Sequence, residues 1–344
     1  MAHRRILSVS ARAFVSPRSG NVSRRSTWDE IAKGLEQDGG NPVTIFYPLN
    51  DDKSTSSALT SIERTALAKS CDWESVIIEP HTADIEMHQF RFFMPSGDEV
   101  SFCGHAAIGA SAFVANKESL IASNSLNSNI DTSQLMVPFV TGDSSRFDSR
   151  VCGDKVDLVM RVHHEESDCN QMPGAPSVGI IMNELGLDSN DLLTGCNNLP
   201  VYINSSVARP KTLIPIKSVE QMNAASAPKD PDKFRALCDS INSTGVYLYS
   251  QCKDSTHYEG RQFPRASGYA EDPATGIAAG ALAVSLHARG HTCNNIYSIN
   301  QGSAMGRPSN IQVKIDSYND REVRLSYTGL VVFDTMSCTE YSNL

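Results

Sequence analysis

The chain has 344 residues, of which 40% are hydrophobic and 20% charged, so it is long enough for two globular domains. Its formal net charge of −9 at pH 7, without a Lys/Arg block, argues against a nucleic-acid or anionic-membrane surface. No run approaches the roughly 20 apolar residues of a membrane span, and nine scattered cysteines without a C-x-x-C pair predict reduced thiols rather than disulfides or a zinc site.

The first quarter of the chain is predicted to contain four strands and one helix. Alternating apolar residues predict the strands over residues 6–15, 43–47, 76–79 and 89–94. Residues 16–40 form a polar, glycine-punctuated insertion, in which a short helix is expected over residues 28–35. Helical spacing over residues 60–70 predicts a helix that Ser61 caps.

Residues 98–116 read as a short strand, a tight turn at 103–105 and a helix of small apolar residues. Because this helix has no clear polar face, we expect it to be buried on every side. Its N-terminus would then lie inside the protein, where unpaired backbone N–H groups and the helix dipole attract anions. His105 stands at that point, beside a glycine that allows close backbone approach.

The middle of the chain alternates between predicted strands and short helices. A surface loop is expected over residues 120–133. Helices are predicted over residues 178–185, 219–225 and 231–241, the first ending at Gly186. Strands are predicted over residues 135–140, 156–162, 201–204, 212–216, 246–250, 258–264, 311–315, 323–327 and 329–333.

Residues 269–290 contain a second helix of the same small-residue type. Asp272 suits its N-cap and Pro273 its first turn. Two buried helices that both begin at a polar turn predict two similar halves facing each other across a cleft.

Four short motifs, taken together, resemble the phenazine-biosynthesis PhzF-like family. They occur in the family's order, from near residue 40 to near residue 330. They read GNPV at 40–43, RFFMP followed by EV and FCGHA within 91–106, EDPATG at 271–276 preceded by Arg261, Phe263 and Pro264, and QG followed by MGRPS within 301–309.

The resemblance implies an α+β, diaminopimelate-epimerase-like fold. This fold has two pseudo-symmetric lobes, each a curved, mainly antiparallel sheet around a central helix, with the active site between them. We expect an N-terminal lobe over residues 1–168, a C-terminal lobe over 169–328, and a last strand over about 329–344 that returns to the first lobe. A homodimer is also implied.

The resemblance assigns roles to individual residues. Glu74, in the turn Trp73-Glu74-Ser75, matches the family's general acid/base. His105 and Asp272 match the other two polar groups of the catalytic site. The expected substrate-binding residues are Gly104, Gly276, Ile277 and Arg307. Ile277 replaces the family's usual serine, which removes a hydroxyl from the substrate side.

Each polar candidate also has a purely structural interpretation. Glu74 could be an exposed glutamate at the start of a strand, and His105 a histidine that caps a helix. Asp272 could be an ordinary N-cap and Arg307 a surface turn residue.

Cys103 raises a racemase alternative, because racemases on this fold use two thiols as paired acid and base. The second motif has no cysteine, and Cys293 lies well past the helix that follows it. A two-thiol mechanism is therefore disfavoured, and Cys103 is expected to be a packed side chain.

The expected function is a cofactor-independent isomerase or cyclase of secondary-metabolite biosynthesis, located in the cytoplasm and using acid–base chemistry without a metal. Its substrate would be a small molecule bearing a carboxylate or a carbonyl, with no nucleic-acid or membrane partner. The alternative from another class is a non-catalytic small-molecule-binding protein on the same fold, which Ile277 mildly favours.

Overall fold

The computed structural model describes residues 4–16, 39–49, 59–81, 87–123, 134–195, 198–252, 257–291 and 294–341. Those residues form sixteen strands, six α-helices and three short 3-10 turns. The strands are β1 Arg4–Ala13, β2 Asn41–Leu49, β3 Ser75–Pro80, β4 His88–Phe93, β5 Glu99–Val100, β6 Gln134–Thr141, β7 Arg146–Cys152, β8 Lys155–His163, β9 Glu165–Asp168, β10 Ile203–Ser206, β11 Lys211–Pro215, β12 Gly245–Gln251, β13 His257–Pro264, β14 Ile296–Gln301, β15 Ser309–Asn319 and β16 Glu322–Tyr341. The helices are α1 Ser61–Lys69, α2 Gly104–Ser123, α3 Val178–Glu184, α4 Val219–Asn223, α5 Pro231–Ser240 and α6 Gly276–Ala288.

All sixteen strands belong to one mixed sheet. Its order is β1-β2-β3-β4-β6-β7-β8-β16-β15-β14-β13-β12-β11-β10-β9, and β5 pairs with β4. Four neighbouring pairs are parallel, namely β2–β3, β4–β6, β11–β12 and β13–β14. Because residues 331–341 of β16 also pair with β1, eight strands close into a ring, namely β1, β2, β3, β4, β6, β7, β8 and β16.

The two small-residue helices pack against different parts of this sheet. Helix α2 contacts all eight strands of the ring, whereas α6 contacts β10, β11, β15 and β16. The two helices also contact each other. Residues 105–113 of α2 and 276–286 of α6 are buried, as their lack of a polar face predicts.

The bounds of the helices differ in places from the predicted ones. Thr60, not Ser61, caps α1, because its side chain and that of Glu63 form a reciprocal capping box. Helix α2 continues to Ser123, so residues 120–123 are helical rather than part of a loop.

The predicted start of α6 was wrong. This helix begins at Gly276 with Thr275 at the N-cap, so Asp272 and Pro273 precede it. The backbone N–H of Asp272 donates to the carbonyl of Gln262, 3.0 Å away, which holds this segment against β13 in an extended conformation.

Strands β9 and β16 lie where the predicted lobes would meet. β9 pairs with β10, although the predicted boundary after residue 168 would separate the two strands. Residues 322–330 of β16 pair with β8, while residues 331–341 pair with β1. The lobe boundaries themselves stay a prediction. Most of the expected insertion, including its helix over residues 28–35, lies outside the described residues. Among the helices of the described residues, none has the length and apolar character of a membrane span.

Candidate active site

Glu74 lies in the short connection between α1 and β3, and its carboxylate points into the protein. Its side chain is only 8% exposed, so the exposed strand-start interpretation does not hold. The backbone fixes this position, because the carbonyl of Glu74 accepts from the N–H of Thr44 in β2 at 3.2 Å. Its Oε1 accepts a hydrogen bond of 2.8 Å from the hydroxyl of Tyr269, which comes from the far end of the chain.

His105, the second residue of α2, lies next to that carboxylate. Its Nε2 is 3.9 Å from Oε2 of Glu74, and the residue is buried. The Nδ1 atom lies 3.5 Å from Sγ of Cys103 and 3.4 Å from Nδ2 of Asn41. The Asn41 amide already donates to Asp272 and to the carbonyl of Ala274, at 2.8 Å each, so Nδ1 is left to Cys103.

Asp272 accepts hydrogen bonds from residues that precede it and residues that follow it in the chain. One carboxylate oxygen accepts from Asn41 of β2, and the other accepts from the hydroxyl of Thr275 at 2.6 Å. The carbonyl of Asp272 accepts from the side chain of Gln301 at 2.6 Å. This buried network explains its rigid placement better than the expected N-cap role, which Thr275 takes instead.

Glu74, His105 and Asp272 all line one cavity of about 110 Å³. Helices α2 and α6 both begin at its wall, with Gly104 and Gly276 as their first residues. Ile277, the second residue of α6, also lines it. The structure thus brings together six of the seven predicted site residues, which are Glu74, Gly104, His105, Asp272, Gly276 and Ile277.

Arg307 is the exception. It lines a separate cavity of about 210 Å³, together with Trp73 and a buried ion pair between Arg12 and Asp334. Another groove, of about 410 Å³, lies beside β8 and contains none of the predicted site residues. The structure therefore does not place Arg307 where it could contact a molecule held beside Glu74.

Burial and neighbouring charges set the protonation of the site. Burial disfavours the charged form of His105, but Cys103, Glu74 and Asp272 outweigh it and raise the pKa to about 10. Burial also raises the pKa of Asp272, against the opposing effects of Thr275 and His105. Burial, reinforced by the carboxylates of Asp272 and Glu74, raises the pKa of Tyr269 as well. The site therefore presents an imidazolium and a protonated phenol around the Glu74 carboxyl at neutral pH.

Several polar residues of this site were not identified from the sequence, among them the four described next. Asn41 and Tyr269 bridge distant segments, and Lys211 and Gln262 line the cavity from β11 and β13. Asn41 falls inside the GNP motif, which was a usable signal. For Lys211 the signal was weaker: a charged residue directly before the apolar run Thr212–Ile216.

The arrangement combines the Glu74 carboxyl, one imidazolium and one tyrosine donor in a single cavity. These groups suit acid–base chemistry on a small molecule. The starts of α2 and α6 add backbone N–H groups that favour negative charge. Within the described residues, no group of three or more His, Cys, Asp or Glu side chains is arranged to hold a metal ion.

Comparison with known proteins gives consistent matches. The family model described as phenazine biosynthesis-like protein matches residues 36–335. An uncharacterized isomerase of Clostridium acetobutylicum is 27% identical over 251 residues, which cover 71% of this chain and 76% of the relative. A PhzF-family protein from Bacillus anthracis has a TM-score of 0.70 at 17% identity, covering 97% of this chain and 99% of that one. A predicted epimerase from Pseudomonas aeruginosa has a TM-score of 0.67 at 21% identity over the full length of both chains. The two structures show a shared fold.

Proposed function

Because the chain belongs to the family of phenazine biosynthesis-like proteins, we propose that it is an isomerase in which Glu74 moves a proton between two positions of a small substrate. The observation that carries this proposal is the convergence of Glu74, His105 and Asp272 on one buried cavity. The relative from Clostridium acetobutylicum, named an isomerase, supports the reaction class.

In the proposed reaction, the ionised Glu74 carboxylate takes a proton from a carbon that a neighbouring double bond or carbonyl activates. The C–H electron pair moves into the conjugated system, and the protonated carboxyl, whose acidic proton exchanges with solvent, then delivers a proton to another carbon. No oxidant or reductant is needed, because one C–H bond breaks and another forms. A carboxyl suits both steps when its pKa lies near the working pH.

The neighbouring groups have supporting parts in this step. The Tyr269 hydroxyl, 2.8 Å from Oε1, orients the carboxyl so that Oε2 is left for the substrate. The imidazolium of His105 stabilises the negative charge that develops on the substrate when the proton leaves. Asp272, which Asn41 holds in place through a hydrogen bond of 2.8 Å, contributes negative charge that keeps His105 protonated.

The experiment is hydrogen exchange in heavy water. Purified protein is incubated with a panel of small carboxylic acids whose C–H bonds are activated by a double bond or a carbonyl, and loss of the proton signal is followed by NMR. We expect Glu74→Gln to slow exchange by about 10² to 10⁴-fold, the usual contribution of a general base. Glu118→Gln, which changes an exposed glutamate of α2, is the matched control and should exchange at the wild-type rate.

Exchange by Glu74→Gln at the wild-type rate would refute the proton-transfer role. Binding of panel compounds without exchange in any variant would instead favour the non-catalytic binding protein. The racemase alternative lacks a second thiol, since Cys103 is the only cysteine among the described residues that line the cavity. A role in secondary metabolism, cyclase activity, the cytoplasmic location and the homodimer stay predictions.

A further inference from the structure

Lys211, the first residue of β11, is a buried lysine in the wall of the proposed active site. It is only 6% exposed, and its Nζ makes one long hydrogen bond, 3.4 Å to the carbonyl of Thr244. Among the described residues, no carboxylate forms an ion pair with it. An ammonium group has three N–H donors, so most of its donor capacity is unused. A buried positive charge with so few hydrogen bonds is unfavourable unless an anion binds to it.

Gln262 of β13 is a second unsatisfied group in the same wall. It is 1% exposed, and neither its Nε2 nor its Oε1 has a hydrogen-bond partner in the part of the chain that the structure describes. Leaving a buried amide unpaired costs about 1–3 kcal/mol, so such groups call for an explanation.

Both side chains converge on the same piece of backbone. Nζ of Lys211 lies against the carbonyl of Thr244, and a Cβ placed on the next residue, Gly245, would overlap Nε2 of Gln262. Lys211, Thr244 and Gln262 all line the cavity that contains Glu74. Arg209 lies at the exposed edge of this cavity and adds a second positive charge.

We propose that Lys211 and Gln262 form a subsite that binds a carboxylate substituent of the substrate and thereby selects anionic substrates. Lys211 would form an ion pair with the carboxylate, while Nε2 of Gln262 donates a hydrogen bond to it. Oε1 of Gln262 remains free to accept an N–H or O–H of the same molecule. This inference rests on the proposed function, but carboxylate binding can be measured without any turnover.

The chemistry of the wall favours a carboxylate over a neutral or cationic group. A substrate carboxylate would satisfy the buried ammonium and the amide together, and charge-assisted hydrogen bonds are about twice as strong as neutral ones. Size limits the ligand too. The cavity of about 110 Å³ suits a small molecule beside Glu74 rather than a large one.

The test compares carboxylates with their uncharged amides by calorimetry at pH 7. The probes are acetate against acetamide and succinate against succinamide, measured at millimolar concentrations. We expect the wild-type protein to prefer each carboxylate by at least about tenfold, which corresponds to about 1.4 kcal/mol. In Lys211→Met the preference should fall to about one, and in Gln262→Leu it should fall several-fold.

Lys217→Met is the matched control, because Lys217 is exposed and lies outside the cavity; it should keep the full preference. In Glu74→Gln, which removes a negative charge from the same cavity, the preference for the carboxylate should not fall even though exchange is lost, which separates failure of this subsite from failure of the proton-transfer proposal. Absence of carboxylate binding by the wild type, or an unchanged preference in Lys211→Met, would overturn the subsite.

Discussion

Replacing Lys211 by methionine is expected to stabilise the protein while it weakens carboxylate binding. The two side chains are similar in length, so little packing is lost. The substitution removes a buried positive charge that has no ion-pair partner among the described residues. The carbonyl of Thr244 would not be left unpaired, because it also accepts from the backbone N–H of Arg265 at 3.2 Å.

The size of the effect follows from the pKa of Lys211. Burial is the largest cause that lowers this pKa, from 10.5 to about 8; the charge of Arg209 acts in the same direction, and Asp272 and Cys238 act against it. At about 1.36 kcal/mol per pKa unit, this shift corresponds to an unfavourable contribution of about 3 kcal/mol when the side chain is charged. After the lost hydrogen bond to Thr244 is subtracted, we expect the free energy of unfolding to rise by about 2–3 kcal/mol at pH 7.

The gain should depend on pH in a defined direction. Between pH 8 and 10.5 the unfolded wild-type chain keeps a proton on Lys211 that the folded chain has lost, so wild-type stability rises with pH. The advantage of Lys211→Met is therefore largest below pH 8. With these folded and unfolded pKa values, the unfavourable contribution of Lys211 to stability falls to about 1 kcal/mol at pH 9.5.

Urea unfolding at pH 7 and pH 9.5, followed by circular dichroism, measures these differences. Lys217→Met serves as the control and should match the wild type at both pH values, because it changes an exposed lysine. A Lys211→Met protein that is less stable than the wild type at pH 7 would refute the reasoning, as would a gain of equal size at both pH values.

Three further substitutions or titrations test other parts of the structure. Tyr269→Phe removes the donor to Glu74 and should lower kcat by about tenfold to a hundredfold in the heavy-water assay, with stability little changed. The kcat of the wild type should fall as pH rises toward 10, because His105, with its pKa raised to about 10, then loses the charge that stabilises the developing anion; a flat profile to pH 10.5 would contradict this. Tyr327→Phe should raise the free energy of unfolding by about 1 kcal/mol in urea, since the buried hydroxyl of Tyr327 has no partner among the described residues; a loss of stability would show that it has one.

Much of the strand pattern could be predicted from the sequence, where the apolar alternation was clear. β8 is an example: its residues 156, 158, 160 and 162 are buried in turn, and the predicted bounds differ by one residue at each end. β7, RFDSRVC, was missed because its charged residues mask a period of two. β14 was missed as well: of its three buried positions only Tyr297 and Ile299 are apolar, and the burial of Gln301 depends on hydrogen bonds to Asp272 and Thr275.

The site could be predicted only where motifs marked it. Glu74, His105 and Asp272 came from resemblance to a family. Lys211 offered only a weak signal, its place directly before an apolar run, and Gln262 has no local pattern that distinguishes it from a solvent-facing strand residue. Their burial is decided by register: Lys211 lies opposite Ser205 of β10, and Gln262 lies opposite Tyr247 of β12. Such pairings between distant segments cannot be read from propensity or periodicity.

The origin of the site residues suggests how its two tasks are divided. Glu74 and His105, the groups proposed to handle the proton, come from the ring of strands around α2, whereas Lys211 and Gln262, proposed to bind the carboxylate, come from β11 and β13. Asp272 is the group that acts on both sides, because its charge favours the protonated form of His105 and also opposes the lowering of the Lys211 pKa. Since Asn41 of the ring donates to Asp272, one hydrogen bond of 2.8 Å joins the two sets. A substitution at Lys211 or Gln262 is therefore expected to change substrate preference without disturbing the geometry around Glu74.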